Sequence, residues 1–231
     1  MKLIATIRSP YKQKFGIPRQ FGIIEGVHSR LEFEHNYGDE DALVGLSEFS
    51  HLWVVFQFHQ SLREEWKSTV KPPRLGGQQK VGVWASRAPF RPNGIGLSVG
   101  KIVAIQCQSE GYDRTCIILS GLDILDNTPV FDIKPYLPYA DAIDGAVGGF
   151  AKEQPETEFL VEFMPLADEQ ASSKSKQFDV DIKSVIRDIL SYEIRPAHQR
   201  TTSGKVHRIR LYDFDIKYRY QDAVVIVDAL W

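Results

Sequence analysis

Two stretches of this chain gather side chains that could grip a small charged molecule. Ser86 to Ser98 reads Ser-Arg-Ala-Pro-Phe-Arg-Pro-Asn-Gly-Ile-Gly-Leu-Ser. Pro89 and Pro92 fix their own φ and donate no hydrogen bond, so the segment is predicted as a rigid loop, neither helix nor strand. Asn93-Gly94 is a turn signal, and Gly96 lets the backbone approach a neighbour or ligand closely. Held on so stiff a backbone, Arg87 and Arg91 lose little entropy when they fork onto a carboxylate or phosphate. A connecting loop with solvated arginines is the plain alternative.

The second stretch is acidic. Asp123, Asp126, Asp132 and Asp141 lie in or beside loops studded with Pro and Tyr. Two aspartates three apart, backed by Asn127-Thr128-Pro129, make a rigid acceptor site for hydroxyls, an amino group or a sulfonium. Turn caps would use the same residues, and no His or Cys lies at metal-ligand spacing beside them. Lys134, Tyr136 and Tyr139 supply a cation and two flat rings on which a base could stack, or else core filler. His59-Gln60 closes the apolar run His51 to Phe58, putting a titratable ring and an amide at the end of a strand. Arg195, His198, Arg200, Lys205, His207, Arg208 and Arg210 concentrate positive charge near the C-terminus and read as a phosphate-contacting patch or a solvated strand face.

These residues sit in a chain of 231 with a formal net charge of -2, so any nucleic-acid partner must be met by a local basic patch. Apolar and charged fractions of 43% and 25% are those of an ordinary globular protein. No apolar run approaches the roughly 20 residues of a membrane span, and the N-terminus lacks an export signal. A cytoplasmic protein is expected, with Cys107 and Cys116 as reduced thiols facing each other across a hairpin. There is no P-loop, no G-x-G-x-x-G between strand and helix, no G-x-S-x-G and no paired C-x-x-C.

Positioning falls mainly to strands. Leu3 to Ile7, Ile23 to Val27, Arg30 to Phe33, Lys80 to Ala85, Leu97 to Gln108 and Thr115 to Leu122 have strand character, the last two as a hairpin turning at Gly111. His51 to Phe58 is apolar enough for a central strand buried on both faces. Glu40 to Leu46 reads as a short helix, and Trp66 to Gln79 as a surface excursion tipped by Arg74, Gly76 and Gly77. So many short strands predict a mainly β architecture, a closed or nearly closed barrel, up to about residue 140. Asp141 to Pro155 is the expected linker, dividing a domain at 1–150 from one at 151–231. In the latter, Ile182, Val185, Ile186, Ile189 and Leu190 form a helix stripe capped by Asp179 or Asp181 and stopped by Pro196. Two strands, Val206 to Tyr220 and Ala223 to Leu230, complete a small α+β module. Physical chemistry alone stops at a barrel that binds a charged small molecule and, through its basic appendage, RNA.

Five ordered motifs carry a further signal: Ile7-Arg-Ser-Pro-Tyr11, Pro18-Arg-Gln20, His59-Gln60, Ser86 to Ser98, and Asp123 to Asp141. Together they resemble the tRNA N6-threonylcarbamoyladenosine methyltransferases, the TrmO or TsaA-like family, over roughly residues 1 to 150. The C-terminal module is similar to that of bacterial members. The resemblance implies a β-barrel that uses S-adenosylmethionine, without metal, as a homodimer. Its reaction is methyl transfer to N6 of threonylcarbamoyl-modified adenosine 37 in the anticodon loop of threonine tRNA. By the same resemblance Pro18, Arg19, Gln20, His59, Gln60, Arg87, Leu97, Asp123, Ile124, Leu125 and Asp126 line the cofactor site. Arg91, Asn93, Lys134 and Tyr136 would hold the modified base, and Asp132 or water would take the N6 proton. The tRNA-binding appendage would use Arg195, Arg200, Lys205, Arg208 and Arg210. Where the family usually has Asn-Pro-Ile-Gly, this chain has Asn93-Gly94-Ile95-Gly96, a looser turn. Two other readings use the same residues: a SAM- or RNA-binding barrel without turnover, and a metal-dependent hydrolase built on Asp123 and Asp126.

Overall fold

A computed structural model describes residues 1–18, 20–195 and 204–231; Arg19, Pro196, His198 and Arg200 lie outside the described residues. The chain forms two compact units, one of residues 1–8, 30–119 and 127–154, the other of 9–29, 120–126 and 155–231.

The first unit is a barrel. Its strands are β1 (Ala5–Arg8), β2 (His28–Phe33), β3 (His51–Gln57), the short pair β4 (Thr69–Val70) and β5 (Val81–Gly82), β6 (Ile95–Gln106), β7 (Cys116–Ser120) and β8 (Thr128–Pro135). Six of them close in the order β1-β2-β7-β6-β3-β8, so no edge of this sheet is left unpaired. A one-turn helix, α1 (Pro138–Asp141), follows β8. β3 shows how the wall is built: Leu52, Val54 and Phe56 are buried, while Trp53 and Val55 are half-buried. The expectation of burial on both faces therefore holds for one face only, because the outer side of a barrel wall is not covered by a second layer. Gly96 stands opposite Phe56 in β6; a methyl group there would lie 2.4 Å from the ring's Cζ. The glycine makes room for the aromatic ring that fills the barrel.

Three local expectations change. Lys80 to Ala85 is not one strand: after the two residues of β5 the chain tightens into a 3-10 turn over Val83–Ala85 that buries Val83. Glu40 to Leu46 becomes a 3-10 turn at Glu40–Leu43, capped by the Asp39 carboxylate, with another at Leu46–Glu48. Ile23 to Val27 is irregular, and Ile24 and Val27 are buried in the core of the second unit.

That second unit is a sheet ordered β10-β11-β12-β9, with β9 (Leu160–Phe163) parallel to β12 and the other neighbours antiparallel. Helices α2 (Pro165–Phe178) and α3 (Ile182–Leu190) pack against it. In α3 the buried residues are the predicted stripe, and the Asp181 carboxylate accepts from Ser184 N–H as the N-cap. The helix ends at Leu190 with Ser191 as its cap, short of the expected stop at Pro196. The run Val206 to Tyr220 is two strands, β10 (Val206–Leu211) and β11 (Phe214–Gln221), because Tyr212 takes a positive φ of 51° and reverses the chain. β12 (Val224–Leu230) completes the sheet. Tyr11, from the segment after β1, joins this core, with a backbone bridge to Leu211.

Candidate active site

In the first unit, the outer wall of the barrel brings several predicted residues into rows. Val55 is directly opposite Leu97 on β6 and Asp132 on β8; one step along, Trp53 is opposite Val99 and Lys134. Partners in register share a face, with neighbouring strands about 5 Å apart. Leu97, expected at the cofactor, and Asp132, expected at the proton, thus flank Val55 on one outward strip. Asp132 Oδ2 is 2.9 Å from Lys134 Nζ in an exposed ion pair. The Tyr136 ring lies 5.9 Å from that of Trp53 and 6.3 Å from His51. Leu97 is 61% exposed, an unusual degree of exposure for a leucine in mid-strand.

The two arginines of the cationic loop differ. Arg91 donates through Nη1 to the carbonyls of Ser86 at 2.7 Å and Val83 at 3.2 Å, with its guanidinium 5.1 Å from the Trp84 ring. These contacts make it a strut of the loop, with only Nη1 engaged by the two carbonyls. Arg87 is exposed on the same loop. Gly94 has a φ of 58°, closed to proline, and its N–H donates to the Arg91 carbonyl at 3.2 Å. The turn therefore closes by a route that the family's usual proline could not follow. His59 follows β3 as expected, its Nδ1 3.3 Å from the Thr128 hydroxyl, with Gln60 beside it in the turn.

In the second unit, the acidic loop organises the backbone. Asp126 accepts from the Ser9 N–H at 2.8 Å and pairs with Lys12 at 2.7 Å, while its own N–H donates to the Tyr11 carbonyl. Sequence spacing could not reveal this link, since the partners lie more than a hundred residues apart. Asp123 is half-buried and Ile124 fully buried. Burial pushes the Tyr11 phenol far up, helped by the negative charges of Tyr212, Asp123 and Asp188, so it stays protonated. Pro18 lines a cavity of about 50 Å³ with Gly16, Ile17, Tyr192 and Glu193 among others. That is far short of the several hundred Å³ that a drug-sized ligand fills.

The C-terminal basic residues separate into two kinds. Arg195 is buried, with its N–H, Nε and Nη2 donating to Glu193 at 2.7 to 2.9 Å and its guanidinium 3.6 Å from the Tyr220 ring centre. It is a core ion pair and cannot meet a phosphate, contrary to the charge-based expectation. Burial, then the charges of Arg195 and Lys205, push His207 below its ordinary value, which disfavours its charged form. Lys205, Arg208 and Arg210 are exposed, and the register sets Lys217, missed in the sequence, opposite Arg208 on the same face. Alternation along β11 was the signal that could have found it.

Among the described residues no three His, Cys, Asp or Glu side chains are grouped to hold a metal ion, and no helix is long and apolar enough to cross a membrane. At Asp126 a divalent cation would have to displace Lys12 and a backbone N–H, which weakens the hydrolase reading.

Comparison with known proteins covers both units. The tRNA-methyltransferase O N-terminal domain matches residues 6–142, and the TrmO C-terminal domain matches residues 156–230. An Escherichia coli K12 protein named tRNA (adenine(37)-N6)-methyltransferase is 40% identical over 98% of this chain and 95% of its own length. RcsF of Pseudomonas aeruginosa, provisionally named an S-adenosylmethionine-dependent methyltransferase, is 39% identical over the same shares. The crystal structure of TrmO from Pseudomonas aeruginosa matches with a TM-score of 0.82 at 32% identity, over 100% of this chain and 96% of that one.

Proposed function

This chain belongs to the tRNA-methyltransferase O family, and from that premise we propose that it methylates N6 of threonylcarbamoyl-modified adenosine 37 in threonine tRNA. The names of its relatives support S-adenosylmethionine-dependent methylation of tRNA. The structural observation that carries the reading furthest is the outward row Leu97–Val55–Asp132, which sets an apolar support beside a carboxylate on one rigid wall. The donor set suits the cofactor's chemistry: Arg87 for the methionine carboxylate, Asp123 for the ammonium or ribose hydroxyls, Leu97 for the adenine face. By the family resemblance alone, Pro18, Gln20, His59, Gln60 and Leu125 are the remaining cofactor residues of this reading, and Ile124, which is buried, could take part only through its backbone. Asp126 takes part through the segment that it anchors.

When bound, S-adenosylmethionine supplies a methyl carbon already activated by its sulfonium. Displacement at such a carbon needs in-line alignment more than a strong base. The acceptor N6 lies between a purine and a carbamoyl carbonyl, so its proton is more acidic than that of plain adenosine. Asp132 would take that proton as the nitrogen is methylated and then pass it to water. Lys134 pairs with the threonyl carboxylate, and Tyr136, backed by Trp53, supplies a face for the base. Residue 37 sits in a single-stranded loop, where no duplex need be opened. In this reading the protein works in the cytoplasm as a homodimer.

The test is incorporation of labelled methyl into threonine tRNA with and without the threonylcarbamoyl group. Label should enter only the modified tRNA; equal labelling of the plain transcript would sink the stated specificity. Retained S-adenosylmethionine binding with no product would instead favour a non-catalytic binding module.

The appendage carries its own expectation. Replacing Arg208 and Arg210 by alanine should reduce the slope of log affinity for tRNA against log salt by about 2, roughly one per phosphate contact, and leave cofactor affinity alone. An unchanged slope would return β10 to a solvated face.

A further inference from the structure

The surface excursion between β3 and β6 holds the most exposed aromatic pair of the barrel unit. The β4–β5 ladder pairs Thr69 with Gly82 and Val70 with Val81, and a bond from Val83 N–H to the Ser68 carbonyl extends it. Three residues before β4, Trp66 meets Trp84, which lies two residues after β5. Their ring centroids are 5.7 Å apart at 30°, yet Trp66 stays 48% and Trp84 65% exposed. Val83, fully buried between them in sequence, anchors the turn, so the indoles are not needed to fill a core. Nearby, the Arg63 guanidinium lies 4.4 Å from the Phe90 ring centre, and that of Arg91 lies 5.1 Å from Trp84.

Charge gives the partner its class. From Ser61 to Pro92 the chain has seven Lys or Arg against two Glu, in a protein whose net charge is -2. Flat rings interleaved with cations suit unpaired nucleotides, with bases on the indoles and phosphates on the ammonium and guanidinium groups. A second copy fits less well, since a two-fold interface would bring this cationic segment against itself.

We propose that Trp66 and Trp84, with Lys67 and Lys71, form a stacking platform on the barrel unit that holds unpaired bases of the RNA substrate. The proposal rests on the tRNA reading above and adds a determinant of substrate affinity. The platform acts in binding, so it changes KM and leaves the chemical step alone.

The experiment uses the full chain and two labelled probes, a synthetic anticodon stem-loop RNA and a blunt RNA duplex of equal length, followed by fluorescence anisotropy. Trp66→Ala should weaken stem-loop binding about 5- to 150-fold, the range of one lost base stack, and duplex binding less than about twofold. Trp66→Phe should recover most of the affinity. A Lys67→Glu, Lys71→Glu double variant should weaken both probes and flatten the salt slope. In methyl transfer, Trp66→Ala should raise KM for tRNA with kcat within about twofold. Unchanged stem-loop affinity in Trp66→Ala overturns the proposal. So does a fall in assembly mass by sedimentation with RNA affinity intact, which would give the pair to a second copy. If wild-type protein binds the stem-loop yet methylates no tRNA, the proposed function falls, while the platform is still judged by the binding ratio.

Discussion

Glu193→Ala is expected to destabilise the unit that holds it by about 3–5 kcal/mol, the cost of leaving a buried charge without its partner. Glu193 and Arg195 are 5% and 7% exposed at the side chain. Three donors of Arg195 converge on the two oxygens of Glu193, and Tyr220 covers the guanidinium. Removing the carboxylate strands a guanidinium that cannot shed its proton at any ordinary pH. Replacing both residues together by Leu and Met should recover much of the loss, because the pair's desolvation disappears with its attraction. Urea denaturation followed by the near-ultraviolet signal of the tyrosines reads both results. A single-variant loss below about 1 kcal/mol would mean that water reaches the pair. The consequence for function is direct: Arg195→Ala should change tRNA affinity only as far as it unfolds the sheet.

The second large effect is expected at the cofactor. Arg87→Ala should weaken S-adenosylmethionine binding by about 1.5–3 kcal/mol, the range of a charge-assisted hydrogen bond, which is roughly 10- to 150-fold in Kd. Arg87→Lys should recover only part of it, since an ammonium keeps the charge without the planar fork. Isothermal titration gives the constant directly, and an unaltered Kd refutes the role. Arg91→Ala should behave differently, loosening the loop through the lost carbonyl contacts at Val83 and Ser86. The two neighbouring arginines of one motif are thus separable by experiment, through cofactor affinity for Arg87 and loop stability for Arg91.

Local patterns were legible where one face of an element is buried. The stripe of α3 followed from the sequence, as did the barrel, because many short strands admit few closed arrangements. Helix α2 escaped because its buried residues are two alanines, Ala167 and Ala171, which leave no broad apolar stripe. The reversal at Tyr212 escaped because a non-glycine residue adopts a positive φ there. Charge counting failed at Arg195 and His207, since sequence reports charge but not burial. The register that aligns Leu97, Val55 and Asp132 comes from strands far apart in the chain, and no local rule contains it.

The winding of the polypeptide has a bearing on how this protein can be taken apart. Residues 9–29 and 120–126 are packed with 155–231, and Tyr11, Ile24 and Val27 share a core with Ile186 and Leu211. A gene truncated after residue 154 would therefore still encode two orphaned pieces of the missing half, their oily side chains bare to water. Surgery on this molecule has to follow its packing, and grafting the tail onto another scaffold would have to bring along two loops from far upstream.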